Sequence, residues 1–109
     1  MEHHMNLVPW AFNEVKSGRK DIEVRLNDEK RQKMNVGDII IFTNTETGEE
    51  IKTKIVARHL FDSFKDLFAS FPYTRIGVKE TDTYEICNEF YTQEEQEKYK
   101  ALGLEIKLL

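Results

Sequence analysis

Between Asp21 and Leu26 the chain reads Asp-Ile-Glu-Val-Arg-Leu, apolar and charged residues alternating without a break. A period of two commits such a segment to a β-strand with chemically distinct faces. On this pattern Ile22, Val24 and Leu26 are expected to face a core. Asp21, Glu23 and Arg25 then share the other face, with Glu23 and Arg25 about 7 Å apart along it. Three more segments read as strands. Ile39-Ile40-Ile41-Phe42-Thr43 follows the turn Gly37-Asp38 and is apolar enough to be covered on both sides. After a hairpin tip at Asn44–Gly48, the stretch Glu50 to His59 returns with Ile51, Thr53, Ile55 and Ala57 on one side. Leu104, Ile106 and Leu108 alternate after Gly103.

Helical signals are short and fall between these strands. Pro9 suits a first turn and Gly18 an end, and Ala11, Phe12 and Val15 share one face, so a helix is expected from Pro9 to Ser17. Asn27 to Asn35 reads as a turn or short irregular helix. Ser63 with Asp66 opens a short helix whose stripe is Phe64, Leu67, Phe68 and Phe71, and Pro72 stops it. Thr92 and Glu95 form a capping box for a helix running to about Ala101. Tyr73 to Asn88 shows no clear period, and a helix around Thr83 to Phe90 is the one element it suggests. The sum is an α+β fold of about five strands, a small mixed barrel with short helices around it.

A chain of 109 residues sets an expectation of one domain, 1–109. Hydrophobic residues at 39% exclude an intrinsically disordered chain. No apolar run approaches the ~18 residues of a membrane span. The opening MEHHMNLVPW lacks the apolar core of a signal peptide, so a cytoplasmic location away from membranes is expected. Cys87, alone, excludes an internal disulfide. The net charge of −4 excludes a uniformly basic coat, yet the charge is segregated. Lys16 to Lys33 holds seven bases against four acids, whereas Glu80 to Glu97 holds seven acids and no base. A polyanion can meet the first region, and the plainer reading is that each region is a solvated face.

Most catalytic and metal signatures are missing. His3, His4, His59 and Cys87 fit no ligand spacing, so neither a metal nor a cofactor is expected. There is no Gly-rich phosphate loop and no nucleophile elbow. Cys87 sits among acidic neighbours and reads as a small core filler. What remains is Ser17 to Arg25, which brings Lys20, Glu23 and Arg25 together around a turn and a strand face. Such a group can donate charge-assisted hydrogen bonds to a phosphate, carboxylate or base edge while the carboxylate accepts from an amino group. The plainer reading is an exposed ion pair worth under about 1 kcal/mol. Trp10 and Phe90-Tyr91 could stack on a base or belong to the core. Glu94 and Glu95 are explained by the dipole of the helix they open.

The spacing Gly18-x-Lys20-x-x-Glu23-x-Arg25, followed by Gly37-Asp38 and the strand Ile39–Phe42, resembles the signature of the ASCH domain, in the PUA-like superfamily of small β-barrels. Asp28-Glu29-Lys30-Arg31, Phe61–Phe64 and Tyr91-x-x-Glu94-Glu95-Gln96-x-Lys98-Tyr99 are similar to short stand-alone ASCH proteins of bacteria and archaea. The resemblance covers nearly the whole chain except Phe71 to Asn88. It implies a cleft that binds RNA or a nucleotide-like small ligand, with Lys20, Glu23 and Arg25 as its contacts. The acidic stretch after Glu80 favours a short ligand.

Some relatives are small amidohydrolases acting on acetylated cytidine, and they carry a threonine nucleophile where Glu23 stands. A carboxylate cannot take that hydroxyl's part in acyl transfer. Whether the protein is an enzyme is therefore open. As an enzyme it would hydrolyse a modified nucleoside or RNA, with Lys20 and Glu23 as the proton-transfer groups. A third expectation is a module whose cleft serves only a protein partner.

Overall fold

The computed structural model describes residues 1–109. Five strands form one curled half-barrel sheet: β1 (Glu2–Leu7), β2 (Ile22–Leu26), β3 (Ile39–Asn44), β4 (Glu50–Phe61) and β5 (Ala101–Leu108). Their order across the sheet is β1-β3-β4-β5-β2, with β1 parallel to β3 and every other pair antiparallel. A register shift between Ile55 and Ala57 breaks the β4–β5 ladder, and such bulges bend a strand and increase its twist. Helices fill the connections: α1 (Pro9–Lys16), α2 (Glu29–Gln32), α3 (Phe64–Ser70), α4 (Tyr73–Ile76) and α5 (Gln93–Tyr99), with a 3₁₀ turn at Tyr84–Glu89. No helix is long and apolar enough to cross a membrane.

Most elements fall where the sequence places them. The Ser63 hydroxyl accepts from the Asp66 N–H, and Thr92 and Glu95 close both halves of their capping box. The sequence offers no element before Pro9, and two expectations need correction. The N-terminus, which carries no turn signal, forms β1, placed by parallel pairing to β3 with Met5 and Leu7 buried. Parallel partners need a long crossover, so nothing local announces them. Helix α5 ends at Tyr99 rather than Ala101, because Lys100 takes a positive φ of 68° and turns the chain. Strand β5 consequently starts at Ala101, three residues before the alternation begins to show.

The second correction concerns β2. Antiparallel residues directly opposite each other point to the same face. Glu23 lies opposite Leu104 and Arg25 opposite Leu102, and both leucines belong to the main core with Phe12 and Val15 of α1. Val24 and Leu26 lie opposite Gly103 and Ala101, and they pack on the second cluster with Phe64, Leu67 and Ile76. Both faces of β2 are therefore covered. The charged residues point into the half-barrel rather than away from the core.

Gly103 makes this two-sided packing close. A Cβ there would lie 3.1 Å from Ile22 Cγ2 and 3.6 Å from Leu67 Cδ1, so α3 sits nearly on the backbone of β5.

Candidate ligand cleft

A cleft of about 460 Å³ opens where the end of β1, the start of α1 and strand β2 meet the segment from Ile76 to Tyr91. Its floor carries Lys20, Glu23 and Arg25. Glu23 is wholly buried at 0% exposure, and Lys20 is 8% exposed. The Arg25 guanidinium donates through Nη1 to Glu23 Oε1 at 2.5 Å and to the Val24 carbonyl at 2.8 Å. Lys20 Nζ stands 3.5 Å from Glu23 Oε1 and 3.4 Å from Oε2. Oε2 is within ion-pair reach of that ammonium but accepts no hydrogen bond, which leaves a buried acceptor free.

The exposed ion pair considered from sequence is thus replaced by a buried triad. Burial acts to raise the pKa of Glu23. The Arg25 and Lys20 charges and their hydrogen bonds outweigh it, so the carboxyl is held below its ordinary value. At neutral pH Glu23 is a carboxylate.

The aromatic candidates converge on the same space. Trp10 from α1 and Phe90 and Tyr91 after the 3₁₀ turn all line the cleft. Trp10 is 48% and Phe90 74% exposed, so neither is a core residue, whereas Tyr91 stacks on Phe64 with ring centroids 5.7 Å apart. Burial raises the Tyr91 phenol pKa, partly offset by Arg25 and Arg31. Burial likewise pushes the Cys87 thiol up to about 11, which keeps it protonated and unreactive at neutral pH.

The histidines lie elsewhere: His3 hydrogen-bonds Asp38, and His59 hydrogen-bonds Glu105. Reasoning from sequence missed the wall formed by Ile76, Gly77, Val78 and Asp82. These residues belong to the aperiodic stretch, and only the position of Gly77 a few residues after Pro72 marks a turn there.

The family model for the ASCH domain matches residues 5–109, the triad and the wall included. The chain belongs to the ASCH domain family. That family is linked to RNA binding. Among solved structures, this ASCH protein is 31% identical to the hypothetical protein PH0355, with full coverage of both chains and a TM-score of 0.85. It is 29% identical to protein PF0455 from Pyrococcus furiosus, covering 100% of this chain and 98% of that one, with a TM-score of 0.79. A mutant ASCH protein from Zymomonas mobilis is 14% identical over 97% of this chain and 67% of its own, with a TM-score of 0.64, a likeness of fold alone. No curated protein matches the sequence. The half-barrel with its short helices is a mixed α+β fold shared with these solved structures.

Proposed function

We propose that this ASCH protein binds RNA or a nucleotide-like small ligand in the cleft, with Lys20, Glu23 and Arg25 as its polar contacts. The observation that carries this reading is the free Oε2 of a fully buried carboxylate, flanked by two cations on the floor of an otherwise largely apolar cleft. Its nearest cation is the Lys20 ammonium at 3.4 Å, and because Oε2 is closed to solvent a ligand donor reaches it once a neighbouring side chain moves aside. An exocyclic amino group of a base supplies such a donor. The remaining N–H groups of Lys20 and Arg25 then face an adjacent ring nitrogen, carbonyl or phosphate oxygen. Trp10 and Phe90 at the mouth offer flat surfaces for stacking, the usual way proteins hold unstacked bases of single-stranded RNA. The volume is in the range of small-ligand pockets, about 300–1,000 Å³, which suits one base or nucleoside and not a duplex.

A hydrolytic role finds less support in the same residues. No Ser or Thr lines the cleft, and its one thiol is held protonated. A carboxylate kept below its ordinary pKa is a weak base at neutral pH.

The test is an NMR titration of labelled protein with nucleosides, nucleotides and short single-stranded RNAs, repeated on Lys20→Ala and Glu23→Gln. Saturable shifts at Lys20 to Arg25 that vanish in the variants are expected. Product signals from acylated nucleosides would put the amidohydrolase reading ahead. An unshifted spectrum at millimolar ligand would refute both and leave a protein partner as the occupant.

A further inference from the structure

The cleft wall is fastened to the floor beside Lys20 by groups outside the site. Arg75, in α4, donates through Nε to Asp21 Oδ1 at 2.8 Å and through Nη2 to Oδ2 at 3.1 Å, a two-point ion pair between residues 54 apart in sequence. The Asp21 N–H also donates to the Arg75 carbonyl at 3.1 Å. The guanidinium lies over the Phe71 ring, and its Nη2 is 3.8 Å from Glu105 Oε2. Asp21 directly follows Lys20 in the chain, and Gly77 is two residues beyond Arg75.

This clamp lays the Gly77 backbone against the Lys20 methylenes. A Cβ on Gly77 would lie 2.8 Å from Lys20 Cγ and 3.2 Å from Lys20 Cβ, and would overlap Cδ. Real Cβ atoms do not approach so closely, so any side chain at position 77 must displace the lysine. Gly77 also ends α4 in the left-handed region at φ 80°, a second reason for glycine there.

We propose that Gly77, held by the Asp21–Arg75 clamp, is a positioning residue that aims the Lys20 ammonium at Glu23. The space left by its missing side chain is the channel in which the Lys20 stem lies. The functional weight of this inference rests on the reading of Lys20 and Glu23 as ligand contacts, but its test needs no ligand.

The readout is the titration midpoint of the Glu23 carboxyl, followed by its side-chain ¹³C shift in the full chain. Glu23 is faced by Lys20, by Arg25 and, from the far wall, by Tyr91. Gly77→Ala is expected to raise the midpoint, because the displaced ammonium no longer favours the carboxylate. Lys20→Ala is expected to raise it as well. The double variant Lys20→Ala/Gly77→Ala should then match Lys20→Ala alone, since no stem remains to displace. Left-handed strain at position 77 is common to both backgrounds and cancels. A folded Gly77→Ala protein with an unmoved midpoint, or a double variant whose shifts add, overturns the proposal.

If Gly77→Ala does not fold, Asp21→Asn carries the test through its sign. Removing a nearby negative charge would by itself lower the Glu23 midpoint, whereas releasing Lys20 raises it. A rise is expected, and a fall or no change overturns the proposal. Absence of nucleotide binding by the wild-type protein would refute the function and leave this titration result standing, so the two failures are distinguishable.

Discussion

Replacing Glu23 with Gln tests the triad most directly. The two side chains are nearly the same size, so the substitution opens no cavity in a site where Glu23 is fully buried. It removes the charge that compensates Lys20, itself 8% exposed, and Arg25, whose side chain is 21% exposed. Taking one partner from a buried ion pair typically costs about 3–5 kcal/mol, because the other charge is left without compensation. Arg25 retains some contact with water, which places the expected loss near the lower end, about 3 kcal/mol. For a chain of this length that corresponds to a fall in Tm of roughly 12 °C. Urea and thermal unfolding followed by circular dichroism would measure it.

The pH dependence has a definite sign. The folded pKa of Glu23 lies below its ordinary value of 4.5, so its stabilisation is complete above that value and is lost as pH falls through the folded pKa. The gap between wild type and Glu23→Gln should therefore be constant from pH 5.5 to 7 and narrow below about pH 4. A loss under about 1 kcal/mol at pH 7 would refute the reasoning, since that is the worth of an exposed pair.

Other expectations concern the mouth, the thiol and the sheet–helix contact. Trp10→Ala and Phe90→Ala should weaken binding of short single-stranded RNA by about 1–3 kcal/mol each, with Tm barely changed for Phe90, which is largely exposed, and lowered more for the half-buried Trp10; unchanged binding in fluorescence titrations would remove them from the site. Cys87, with its thiol pushed up to about 11, should react with iodoacetamide far more slowly at pH 7.5 than a free thiol does in the same mass-spectrometric assay. Fast labelling of the folded protein would contradict its burial. Gly103→Val should destabilise by at least about 1–3 kcal/mol through overpacking against Ile22 and Leu67, and a neutral result in urea unfolding would show that α3 can shift away from β5.

Much of this architecture is written locally. The alternation at Asp21–Leu26, the hairpin tip at Asn44–Gly48 and the two caps at Ser63 and Thr92 each act over a few residues, and each appears where it is read. The triad residues were also legible, through the spacing of Lys20, Glu23 and Arg25 and the family resemblance that it carries. What stayed hidden depends on partners distant in sequence. Strand β1 exists because β3 pairs with it, and the wall from Ile76 to Tyr91 has no period because it packs on β2 and α3 through scattered side chains.

The inner face of β2 shows the division most clearly. By itself the sequence determined that the strand has two chemically different faces, since a period of two separates Ile22, Val24 and Leu26 from Glu23 and Arg25 whatever surrounds them. Only the tertiary structure decided that the charged face points inward, because the register with β5 sets Glu23 opposite Leu104 and helix α1 closes that side. Local patterning follows from each residue's own geometry, whereas burial depends on which remote segments arrive to cover it. A carboxylate can be held in such a place only where Lys20 and Arg25 arrive with it.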